Sequence, residues 1–71
     1  MSEYCAGIID VLIERRKAKG WTQNDLARAT NLTQSVIARI ERKRTIPQLD
    51  TLVKLVLALG CSLEVVPSEN A

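Results

Sequence analysis

Residues 33–44 read TQSVIARIERKR, and this stretch decides the fold because so short a segment carries two incompatible faces. At about 100° per residue, Val36, Ile37 and Ile40 fall within one arc of roughly 100°, while Gln34, Ser35, Ala38, Arg39 and Arg42 fall on the opposite side. The spacing predicts a helix that gives one side to a core and leaves the other for something polar. Thr33 is a residue type whose hydroxyl caps a helix start, and Leu32 and Ile37 have the spacing of a hydrophobic staple.

Working outward, WTQNDLARAT (21–30) predicts a second short helix upstream. Thr22 is followed three residues later by Asp25, close to a capping box, and Trp21 and Leu26 repeat the staple arrangement. Asn31 follows, one of the few non-glycine residues that enters the left-handed conformation of a tight turn. Ahead of these, Cys5, Ile8, Ile9, Leu12 and Ile13 recur at threes and fours between a capping Ser2 and a terminating Gly20, which predicts a helix over 2–19. Beyond Glu41 the chain is basic and irregular through RKRTIP (42–47), where Pro47 prevents helix and biases Ile46 to an extended conformation. A further helix is expected from about Gln48 to Leu59, stopped by Gly60, and the alternating CSLEVVP (61–67) reads as a short strand.

Length and composition agree with a small helical unit. Seventy-one residues are near the lower limit for one self-sufficient core, so help from a second chain is physically reasonable. With 46% hydrophobic but only 3% aromatic residues the core must be aliphatic, and three glycines and two prolines are too few for many tightly turned strands. Cys5 and Cys61 lie far apart and there is no histidine, so no metal-ligand spacing exists and neither metal nor cofactor is expected. The two cysteines read as small apolar packers in a reducing compartment, with a bridge between them left open. Acids rather than cations begin the chain, and LVKLVLALG (52–60) is interrupted by Lys54 and too short for a bilayer, so a soluble, cytoplasmic chain is expected. An enzyme is not expected, since histidine, a phosphate-cradling glycine loop and a nucleophile clustered with a base are all missing.

The net charge of +2 conceals a strong asymmetry. From Arg15 to Arg44 nine Lys/Arg face Asp25 and Glu41, giving +7; elsewhere Lys54 faces six acids, giving −5. A basic middle suits a polyanion, because phosphate neutralisation supplies most sequence-independent affinity for nucleic acid; charge alone is more simply read as a solvated face that keeps the protein soluble. Two helices joined by about three residues, the second polar and basic on its outer side, describe a helix-turn-helix whose second helix enters the major groove, an ordinary bundle hairpin being the alternative.

From Gly20 to Gly60 the chain resembles the phage-repressor-like (Cro/Xre) helix-turn-helix family, through WTQNDLA with its small Ala27, TQSVIARIE and IPQLDTLVKLVLALG. The resemblance implies an all-α, four- to five-helix lambda-repressor-like DNA-binding domain; with the short C-terminal β-strand read above, that domain is expected over residues 1–66, and the chain end at 67–71 is expected to be a disordered tail. It also implies a sequence-specific regulator of double-stranded DNA, a repressor bound as a homodimer to an inverted-repeat operator. Carried onto matching positions, Gln23 touches a phosphate and braces Gln34, and Gln34 suits an adenine edge. Thr33, Ser35 and Ala38 share the DNA-facing side. Arg39 reads a guanine or holds a phosphate, and Arg42, Lys43 and Arg44 grip the backbone. Arg16 and Glu41 match a family ion pair that ties the first helix to the recognition helix. Asn31 departs from the family's usual turn glycine, and Arg15 stands where many members carry leucine.

The C-terminal part points to assembly. The helix over 48–59 has an apolar arc of roughly 200°, wider than a surface helix needs. The surplus assigned to Leu55, Leu59 and Leu57, together with Cys61, Leu63 and Val65 of a strand with no partner in its own chain, predicts a dimer interface. A terminal strand after the last helix also resembles the HipB-type antitoxins, so the second functional expectation is an antitoxin that binds its own operator and a toxin protein.

Overall fold

The computed structural model describes residues 1–69 of the chain. Its helices are α1 (Glu3–Ala18), α2 (Gln23–Thr30), α3 (Gln34–Glu41) and α4 (Leu49–Ala58). Each of the first three begins where a side chain replaces the missing partner of an orphan N–H. The Ser2 hydroxyl accepts from the Cys5 N–H and Thr33 from that of Val36, while Thr22 and Asp25 form a reciprocal capping box. Helix α4 starts at Gln48 without such a bond and relies on packing.

The four helix ends share one device. Gly20, Asn31, Lys43 and Gly60 have φ of 72°, 58°, 62° and 75°, the positive-φ residues among those described. After each, two amides turn back to carbonyls of the last helical turn: Gly20 to Lys17 and Trp21 to Arg16, Asn31 to Arg28 and Leu32 to Ala27, Lys43 to Ile40 and Arg44 to Arg39, Gly60 to Leu57 and Cys61 to Val56. This paired pattern is the Schellman motif, which satisfies the orphan carbonyls and reverses the chain in few residues. Glycine enters this conformation without penalty and asparagine at small cost, whereas Lys43 bears the steric cost of a Cβ there.

The core joins Ile9 and Leu12 of α1, Leu26 and Ala27 of α2, Ile37 and Ile40 of α3, and Leu55, Val56 and Leu59 at α4. Ile37 and Leu55 are the large side chains most completely enclosed. Three expectations need correction. Leu55 and Leu59, assigned to a dimer interface, are 2% and 4% exposed within the single chain. Helix α4 turns toward its neighbours the flank carrying Leu52, Leu55, Val56 and Leu59, and leaves Leu49 and Leu57 outside at 69% and 62%. Ala38, assigned to the DNA-facing side, is 7% exposed, because α3 packs against both α1 and α2 and its buried arc therefore runs from Ile40 through Ile37 to Ala38. Residues 61–68 carry no regular secondary structure where a strand was expected; a strand needs a neighbouring edge, and the single chain supplies none among the described residues. Of the tail expected at 67–71, residues 70 and 71 lie outside the described residues. No helix among the described residues is long and apolar enough to cross a membrane.

The turn at Asn31 sets the spacing of α2 and α3, so its φ can be tested by substitution. Asn31→Val should lower unfolding free energy in urea by about 1–2 kcal/mol, and Asn31→Gly should unfold at the same or higher urea concentration.

Candidate nucleic-acid interface

The polar side of α3 is held in place by a chain of bonds that begins in the interior. Arg16, in the last turn of α1, is 8% exposed. Its Nε donates to Glu41 Oε2 at 2.7 Å, its Nη2 to Glu41 Oε1 at 3.0 Å, and its Nη1 to the Trp21 carbonyl at 2.8 Å. The bidentate pair therefore locks the end of α3 to α1, and the third bond fixes the turn leading into α2. Both side chains are about nine-tenths covered, at 10% and 11% exposure, so the pairing is largely shielded from water. Such a pair orients its elements more surely than it adds net stability, because desolvation of both charges opposes their attraction.

Glu41 Oε1 also accepts from Gln23 Nε2 at 3.0 Å, and Gln23 Oε1 accepts from Gln34 Nε2 at 2.7 Å. An ionised carboxylate can only accept, so Gln23 must turn its NH₂ toward Glu41 and its oxygen toward Gln34. Gln34 must then present NH₂ to Gln23, which leaves its own Oε1 and second N–H facing outward at the start of α3. One acceptor beside one donor is the pattern that pairs with the N6 and N7 edge of adenine.

Past Gln34, the surface of α3 is formed by Ser35, Arg39 and Arg42, all exposed, which lie within about 60° of one another around the helix axis. Thr33 is exposed as well, its oxygen engaged in capping. Gln23 is half-buried, with Arg16, Thr22, Asn24 and Gln34 around it in a shallow polar groove. Arg44 is exposed in the loop beyond α3, while Lys43 turns toward α1 and pairs with Asp10 at 2.7 Å. The structure thus brings Gln23, Gln34, Ser35, Arg39 and Arg42 onto one side and removes Ala38 from it.

Two participants had no signal in the sequence reading. Asp10 is one of several acids on α1, and its pairing appears only once α1 and α3 are packed; the Trp21 carbonyl is backbone and has no sequence signature. Lys19, over the Trp21 ring at 4.8 Å, covers the same turn by a cation–π contact.

At the start of α2 the Asp25 carboxyl is held below its ordinary value of 3.8, chiefly by the Thr22 backbone N–H, then by the Thr22 hydroxyl and Arg28. Since the folded value lies below the unfolded one, this support for the α2 cap is present above pH 3.8 and is lost as pH falls through the folded value. The neighbouring Arg28–Asp25 pair, with Arg28 77% exposed, adds little because water and salt screen it.

With this geometry in view, the chain can be compared with known proteins. A helix-turn-helix family model matches residues 12–66. A protein of Haemophilus influenzae described as an uncharacterized HTH-type transcriptional regulator is 43% identical over 60 residues, covering 84% of this chain and 61% of the relative, so the chain spans less than two thirds of that protein. A solved chain described as a toxin-antitoxin module from Streptococcus pneumoniae superposes with a TM-score of 0.77 at 43% identity, covering 94% of this chain and 74% of the other.

The buried pair makes a prediction about stability. Glu41→Ala strands the Arg16 guanidinium in the interior and should cost about 3–5 kcal/mol in urea unfolding, while Arg16→Met combined with Glu41→Leu should recover much of that loss.

Proposed function

This chain belongs to the helix-turn-helix family, and from that premise we propose that it is a sequence-specific regulator of transcription that binds double-stranded DNA through α3. The observation that carries the reading is the outward set of Gln34, Ser35, Arg39 and Arg42 on a helix whose inner side is packed and whose far end is bolted to α1. Direct readout needs side chains of this kind held at fixed register in the major groove. Gln34, oriented by Gln23, presents paired donor and acceptor to an adenine. Arg39 reaches base edges, and Arg42 and Arg44 contact the backbone.

The reading includes a homodimer acting as a repressor at an inverted repeat, with residues 1–66 as the working unit and the cytoplasm as its place of action. Support comes from apolar surface that the single chain leaves uncovered. Leu63, Val65 and Val66 are 40%, 101% and 74% exposed, and Leu63 lines a shallow apolar groove with Ile8, Val11, Leu12 and Val56. With Leu55 and Leu59 occupied in the core, the interface set is Leu57, Cys61, Leu63 and Val65. Two-fold pairing would set the recognition helices about 34–36 Å apart, one turn of DNA. The solved toxin-antitoxin chain favours one further reading, an antitoxin that binds its own operator and restrains a toxin protein.

Selection of bound sites from random duplexes supplies the preferred sequence. Against it, Arg39→Ala should weaken binding by about 1–3 kcal/mol and relax preference at one base position; equal loss on every sequence would make Arg39 a phosphate contact. Assembly is tested by sedimentation of the full chain and of a chain ending at Ser62, which keeps the Cys61 amide bond that closes α4. The full chain should sediment as a dimer and the shortened one as a monomer.

A further inference from the structure

Four cations lie between Arg39 and Arg44, and they are not equivalent. Arg39, Arg42 and Arg44 have no acidic partner among the described residues, whereas Lys43 Nζ lies 2.7 Å from Asp10 Oδ1. The pair is open to water, with side-chain exposures of 36% and 57%. Lys43 also occupies the left-handed position that closes α3, at φ 62°. From there its side chain reaches Asp10 on α1. Nothing in the packing requires lysine there: glycine would adopt the turn without strain, and the helix end is already satisfied by the Lys43 and Arg44 amides.

On the reading that this loop lies along DNA, we infer that Asp10 is a counter-ion that withholds Lys43 from phosphate and so sets the strength of sequence-independent binding. A carboxylate in contact with the ammonium cancels its field at the distance of a phosphate, so the pair releases no counterion from arbitrary DNA while it stays closed. An exposed pair is weak, because water and salt screen it and two flexible side chains must be held together. The restraint is therefore soft: it lowers affinity for any duplex by a small factor without blocking the site. Asp10 does not touch DNA in this account; it is a positioning residue that acts through Lys43.

The experiment measures binding of the full chain to a random-sequence duplex across a range of salt concentrations. Asp10→Asn should tighten binding about two- to fivefold near physiological salt and steepen the salt slope by roughly one. Lys43→Gln in the wild-type background should change the slope little, although Arg44→Gln flattens it by about one. In the Lys43→Gln background, Asp10→Asn should have little effect. Asp10→Ser, which also removes the charge, should reproduce Asp10→Asn, and helix content by circular dichroism should be the same in all variants. An Asp10→Asn protein with wild-type slope and affinity overturns the inference, as does an equal effect of Asp10→Asn with and without Lys43, which would assign it to the general field. Flattening by Lys43→Gln alone to the extent seen for Arg44→Gln also overturns it, since Lys43 would already rest on phosphate. A wild-type chain with no salt-dependent binding to DNA overturns the DNA-binding reading, and this inference with it.

Discussion

The bidentate contact between Arg16 and Glu41 is the constraint on which the rest of the arrangement depends. It joins the last turn of α1 to the last residue of α3, and Arg16 also binds the Trp21 carbonyl at the entry to α2. The ends of α1 and α3 and the turn into α2 thus meet at one guanidinium. A planar group with five donors can do this, and a lysine could not satisfy the same geometry. Because Glu41 can only accept, the polarity of the Gln23 and Gln34 amides follows from it. The Gln34 amide at the start of α3 is thereby oriented by a charge in the interior.

The connections between helices show how 71 residues accommodate this. Every helix end uses the same two backward amide bonds and one positive φ, so each reversal needs few residues. Short connections keep α2 and α3 close, and small Ala27 and Ala38 are buried there. The core formed in this way is aliphatic and small, consistent with stability on the modest scale of about 0.05–0.15 kcal/mol per residue. Apolar surface remains uncovered at Leu57, Leu63, Val65 and Val66.

Charge is divided on the same plan. The basic middle of the chain forms α2, α3 and their flanks, and most acids lie in α1, in α4 and beyond it. Packing then pairs charges at chosen points. Within the basic region Glu41 neutralises Arg16 in the interior, and across the two regions Asp10 meets Lys43 at the surface. The remaining cations beside α3 keep their full field, which is what a polyanion-binding surface requires.

The sequence by itself determined the helices and their limits. Ser2, Thr22, Thr33, Gly20, Asn31 and Gly60 are local signals, since a cap or a left-handed turn depends on residues a few positions apart. The polar character of Gln34, Ser35, Arg39 and Arg42 was legible for the same reason, and the Arg16–Glu41 pair through the family resemblance. Tertiary structure alone decided which flank of α4 faces inward, and so that Leu55 and Leu59 belong to the core while Leu57 does not. A helix with apolar residues around much of its circumference has no periodic signal to choose a side; its neighbours choose. It likewise decided the burial of Ala38, which depends on α3 having two neighbours rather than one, and the pairing of Lys43 with Asp10 across 33 positions of sequence. The left-handed turn at Lys43 was invisible because lysine has no preference for it.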